Sequence, residues 1–317
     1  MRVVAVLVAV CCLVSGSAFA AAPPQRPMGT PQEILQWING YRSKPQPQKL
    51  PDAVKAMSTL GLFRDLDTGG VYLGFIAGVL GANPARAEAL LTRMFPMPPE
   101  DQVVLVRAIA YSGLPEWKAL LSKFAERMPA RKVLIERHLA DKLPTLATLP
   151  LDQSPAALDI LWGSYFGTGR FDGIERIVGA LAWAKDGNNV ERLTLGAMAK
   201  WTLANNAQQD KRLLDYLRSE IKRQPKPIAT EIEEVVEAAE TYETSKIRRE
   251  AMAAIEDLKR KGPASARNAS WWGTAGQTAL ALGCVVASAM GHIEVGIPCV
   301  IGGVASSAAL KFLLPQP

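Results

Sequence analysis

Along most of this chain apolar residues recur at intervals of three and four, in blocks about three turns long that are separated by short proline- or glycine-bearing breaks. The first block opens at Thr30. That residue and Glu33 form the pattern of a capping box, Pro31 takes the first helical position, and Ile34, Leu35, Trp37 and Ile38 supply an apolar face. The proline-bearing stretch 43–51 reads as a loop, and Val54, Met57, Leu60, Leu62 and Phe63 predict a helix over 52–66. Further helix starts are marked at Pro84 behind Asn83, at Pro99 before Glu100 and Asp101, and at Pro115 before Glu116, with Pro129 closing the series. No block alternates apolar and polar residues strictly, and none carries the β-branched clusters of a strand. The predicted class is therefore all-α, with short connections between antiparallel neighbours.

A second series of starts lies at Ser154 and Pro155, at Asp172, near Asn189 and near Gln208. A pair of helices then occupies about 34 residues, the period of a tetratricopeptide repeat. Leu161, Tyr165, Gly169, Phe171, Ile174 and Leu181 stand where that family places its packing residues, and the segment 161–181 resembles one such repeat. It departs from the family pattern at Trp162, which stands in place of a small glycine, at Ile174, which replaces the usual alanine, and in having no closing proline. The resemblance implies a right-handed stack of antiparallel helix pairs over residues 30–225, an α-solenoid-like scaffold that takes a peptide or a protein surface in its groove. Trp162, Tyr165 and Phe166, with Trp183 and Trp201 on later helices, are the candidate aromatics for such a groove; the competing reading makes them packing residues between repeats.

After Pro225 the stripe Ile228, Ile232, Val235, Ala239 and Tyr242 slips near Thr244 and resumes at Ile247, Ala251, Ile255 and Leu258. A single long, charged, amphipathic helix is expected over 226–262, lying along the stack or standing off it as a stalk. Glu231, Glu233, Glu234 and Glu237 read as its solvated face. A linker follows over 263–270.

The two ends differ from the middle. Arg2, the apolar run 3–14 and the sequence Ala18-Phe19-Ala20 have the form of a secretory signal over residues 1–20, followed by a Pro-, Ala- and Gln-rich leader over 21–29. The far end, 271–317, holds two Gly/Ala-rich apolar runs on either side of His292 and Glu294, behind the basic Lys259, Arg260, Lys261 and Arg267 and the pair Trp271 and Trp272. Each run approaches the roughly 20 residues that a bilayer crossing requires. Ala275, Ala279, Gly283, Ala287 and Gly291 recur every four residues in the first, and Cys299, Gly303 and Ser307 in the second, which lets two helices approach closely. A helical hairpin over 271–314 is expected, in a membrane or buried in protein. The basic flank on an exported side runs against the usual orientation bias, and Gln277, Glu294 and Pro298 lower the hydropathy.

Composition changes this picture little. The 317 residues are 49% hydrophobic and 21% charged, enough for a packed core, and the formal charge of +6 is mild. Basic and acidic residues are interleaved without a recognition motif, so no nucleic-acid partner is expected. Of four cysteines two lie in the signal-like segment; Cys284 and Cys299 either close a disulfide, worth on the order of 3 kcal/mol, or serve as small apolar fillers. The histidines are His138, expected to be solvated or capping in a charged helix, and His292. Neither sits at metal-ligand spacing, Asp65 and Asp67 beside Gly69 and Gly70 lack the distal glutamate of a calcium loop, and no nucleophile elbow or phosphate loop is present. No cofactor, metal or catalytic residue is assigned. The expectation is an exported helical scaffold with a protein or peptide partner in the cell envelope, contacting a membrane through 271–314; an envelope hydrolase with carboxylates from distant helices, or a lipid or small-molecule carrier, is the alternative.

Overall fold

A computed structural model describes residues 28–64, 69–152, 154 and 156–244, together with 246, 247, 249, 250 and 253. The signal-like segment, most of the leader, Asp65 and Asp67, the linker 263–270 and the hairpin 271–317 with Cys284 and Cys299 lie outside the described residues. Among the described residues every regular element is helical, as expected from the sequence: twelve α-helices joined by short turns, several of them 3-10.

Helix α1 (Pro31–Gly40) starts as its sequence dictates. The Thr30 hydroxyl accepts from the Glu33 amide at 3.2 Å, the Glu33 carboxylate accepts from the Thr30 amide at 3.1 Å, and Ile34, Leu35 and Ile38 are buried. Helix α2 (Leu50–Thr59) is shorter than the predicted 52–66. Gly61, at φ +71, takes the left-handed conformation, and the Leu62 amide turns back to the Met57 carbonyl. Pro47, Pro84 and Pro129 each open a single 3-10 turn ahead of the helix that follows.

The centre of the protein is the pair α3 (Gly70–Ala82) and α8 (Ala156–Thr168). Helix α3 is apolar on all sides and buried from Gly70 to Leu80, the signature of a helix enclosed by others. Gly70 faces the Ala156 carbonyl, Gly74 the Ile160 carbonyl and Gly78 the Ser164 carbonyl, so the numbering of the two helices rises together and they run parallel. From the other side, Gly163 faces Val71 and Phe75, and Gly167 faces Phe75 and Val79. A Cβ on Gly78 would stand 2.8 Å from the Ser164 oxygen, and one on Gly167 2.8 Å from the Phe75 oxygen. The helices meet backbone to backbone because glycine at every fourth position removes the side chains that would part them.

Helices α4 (Ala87–Met94) and α5 (Gln102–Tyr111) pack on α3, and α6 (Trp117–Phe124) and α7 (Lys132–Leu139) pack on α5 and on each other. Helix α5 packs on α3, with Gly81 seated on the Ser112 carbonyl, and α1 reaches the pair through the mutually edge-on rings of Trp37, Tyr41 and Phe75. Gly169, at φ +69, turns the chain from α8 into α9 (Asp172–Gly179), which packs back on it. Helix α10 (Val190–Ala207) is capped by Asn189, whose side chain accepts from the Arg192 amide, and α11 (Lys211–Glu220) by Asp210. Helix α12 (Lys226–Thr241) packs on α10 and α11. The uninterrupted helix expected over 226–262 breaks at Tyr242, which has φ +59, is 74% exposed, and caps α12 with its amide on the Ala238 carbonyl. Ile247, beyond the break, is buried in the core.

Candidate functional site

The groove aromatics proposed from sequence fall into two environments. Trp162, Tyr165 and Phe166 pack together on α8 and are fully buried, with the Trp162 indole donating to the Thr202 hydroxyl of α10 at 3.1 Å. Their ring contacts continue through Tyr165 to Phe171, and through Phe171 to Tyr216, stacked at 4.2 Å. Trp183 and Trp201 are partly buried and keep some exposed surface; Trp183 has the Arg192 guanidinium 5.6 Å from its ring centre. Of the five aromatics, only these two are open to a partner.

Two polar clusters join the helices through partners distant in sequence. In the first, Tyr165 of α8 donates its hydroxyl proton to Asp210 at 2.6 Å, and Arg42, just past α1, donates to both, at 2.9 Å to the Tyr165 oxygen and 2.5 Å to Asp210. The Arg42 guanidinium also lies 4.3 Å from the Tyr165 ring centre. Asp210 has a second duty, since its other oxygen caps α11 by accepting from the Arg212 and Leu213 amides. Burial alone raises a carboxyl, but here the Tyr165 bond and Arg42 outweigh it and hold Asp210 below its usual value. Burial, then Asp210, push the Tyr165 phenol well above its ordinary range, so it stays a proton donor.

In the second, Lys200 of α10 binds Glu231 at 2.7 Å and also Glu234, both on α12, while Lys185 binds Glu231 at 2.5 Å and Glu234 at 3.2 Å. Glu231 therefore does not belong to the solvated face expected for it: its side chain is 5% exposed and meets an ammonium that is 9% exposed. The sequence held a signal, because Glu231 lies four residues before Val235 and so shares the buried stripe. For Glu234, burial pushes the carboxyl up, and Lys200 and Lys185 bring it below its usual value.

His138 and Asp159 are among the other buried titratable groups. His138, expected to be solvated or capping, is only 3% exposed, and burial followed by the charges of Arg107 and Arg137 lowers it to about 4. Asp159 lies in the α3–α8 pair beside Gly70, and burial raises it well above the ordinary carboxyl range. Chemically, the two polar clusters hold helices: each charge meets an opposite charge, and the phenol is kept neutral. Among the described residues no three His, Cys, Asp or Glu side chains converge as metal ligands, and no helix is long and apolar enough to cross a membrane. The candidate hairpin residues Trp271, Trp272, Ala275, Ala279, Gly283, Ala287, Gly291, Gly303 and Ser307 lie outside the described residues.

No family model, no characterised protein and no solved structure matches the chain.

Proposed function

We propose that this chain is an exported, non-enzymatic helical scaffold that binds a protein or peptide partner in the cell envelope and is held at a membrane by residues 271–314. The observation that carries the reading is the way Arg42, Tyr165, Asp210, Lys200 and Glu231 are taken up in helix-to-helix bonds, which makes a fixed body rather than a reacting site. The signal-like start and the two small-residue apolar runs supply the address and the anchor. In this reading the helix pairs α8–α9 and α10–α11 form the stack, and Trp183 with Trp201 are the aromatic part of the partner surface, where a partly exposed ring already held by the core gives contact area at little entropic cost.

Fractionation tests the anchor. Full-length protein is expected in membranes after a carbonate wash, and a truncation ending at Gly262 in the soluble fraction; a full-length protein that is soluble and monomeric overturns it. Cross-linking in intact cells tests the partner. The wild-type chain should give a discrete adduct that weakens at least tenfold in Trp183→Ala/Trp201→Ala, a change of about 1.4 kcal/mol. An undiminished adduct removes those two rings from the proposal.

A further inference from the structure

Helix α7 is attached to the rest of the protein by few side chains. Of its residues only Ile135 and His138 are fully buried, Leu134 and Leu139 are partly so, and Val133 stands 71% exposed. It packs on α5, on α6 and on the 129–131 turn. The imidazole of His138 meets Tyr111 of α5 edge-on at 6.2 Å between ring centres, and among the described residues its buried Nε2 has no hydrogen-bond partner. A buried polar atom without a partner is a weak point in a packed interface.

The charges around it make that weakness sensitive to a proton. Helix α5 brings Arg107 beside Tyr111, and α7 itself brings Arg137. On α6, Lys118 is tied to Asp141 at 2.6 Å and Lys123 to Glu88 at 2.5 Å; on the 129–131 turn, Arg131 donates to the Pro99 carbonyl. The acid of α7, Glu136, lies 3.9 Å from Lys132 on the exposed side. The charges that act on the imidazole are thus positive, and the nearby carboxylates are engaged elsewhere. A proton on His138 would be buried near like charges, with no carboxylate among the described residues placed to neutralise it.

We propose that α7 is an acid-released latch: protonation of His138 detaches it from α5 and α6 and uncovers the apolar surface beneath. The proposal holds whether or not the chain is exported or anchored. Its sign follows from linkage. In the closed state His138 stays neutral down to about pH 4, whereas a released imidazole takes up its proton below about 6.5. Closure is therefore fully favoured above that upper value and is lost as the pH falls between the two.

Hydrogen exchange on the full chain at pH 7.5 and pH 5, corrected for the intrinsic rate, tests this. Protection in α7 should fall on the order of tenfold at pH 5 while α8 is unchanged. The fall should vanish in His138→Gln and in His138→Leu, which carry no titrating group. A histidine NMR titration of the unaltered chain gives an independent reading, with His138 expected to titrate well below the ordinary range. Equal α7 protection at both pH values, a fall that persists in either variant, or a His138 midpoint near 6.5 would each overturn the latch.

Discussion

Two helix interfaces in this protein are built on opposite principles. Between α3 and α8, side chains have been removed: Gly74 and Gly163 set one backbone against the other, and dispersion over a close, dry contact does the holding. Between α10 and α12, long side chains remain, and Lys200 is held between Glu231 and Glu234. The first interface is specified by volume and is indifferent to salt. The second is held by a buried ion pair that is costly to break by halves, although an apolar pair of similar size can replace it as a whole.

The largest effect is expected where an atom is added to the first interface. A Cβ on Gly163 would lie 2.7 Å from the Phe75 amide nitrogen, and the obstacle is main chain that cannot rotate away. Gly163→Ala should lower stability by about 3 kcal/mol or more in urea denaturation, and shortening Phe75 should not restore it. Glu231→Gln should cost about 2 kcal/mol, because Lys200 keeps Glu234 but loses its buried partner. Replacing both members, Lys200→Met with Glu231→Met, should return stability to within about 1 kcal/mol of the parent. If the double change is no better than the single, an apolar pair cannot stand in for the buried ion pair between α10 and α12.

Acid separates the regions further. Glu234 and Asp210 have carboxyls lowered in the fold, so the stability they give is present above their ordinary values and is lost as pH falls through the lowered ones. Asp159 has the opposite sign: its carboxyl is raised, so it weakens the fold as pH climbs above the ordinary carboxyl value. Urea midpoints from pH 3 to pH 7 should therefore rise more steeply in Asp159→Asn than in the parent. The smallest effect belongs to Gly179, at the end of α9, where a Cβ would meet nothing within 4 Å among the described residues. Gly179→Ala should stabilise by about 0.5 kcal/mol through chain entropy alone.

Local rules were readable and distant ones were not. The Thr30–Glu33 box, the Asn189 cap and the burial of Leu161, Tyr165, Ile174 and Leu181 follow from neighbours within one or two turns. Helix α3 escaped because a segment that is buried all round has no amphipathic period to detect. Its glycine interval of four, repeated at Gly163 and Gly167, resembles the small-residue interval of Ala275 to Gly291, and in α3 and α8 it marks a close helix contact inside the protein. Arg42, Asp210 and Lys200 find partners across folds of the chain, and His138 is buried by α5, so no window around those residues reveals their roles. The break at Tyr242 carries neither glycine nor proline to announce it.

The described helices are assembled around a backbone-to-backbone contact between α3 and α8. Its most direct test is one urea titration of Gly74→Ala beside Gly179→Ala, the same chemical change at two helical glycines. A Cβ on Gly74 would come 2.7 Å from the Ile160 carbonyl carbon, and one on Gly179 is free. Stability is expected to move in opposite directions, down by about 3 kcal/mol in Gly74→Ala and up by about 0.5 kcal/mol in Gly179→Ala. A Gly74→Ala protein as stable as the parent would contradict it.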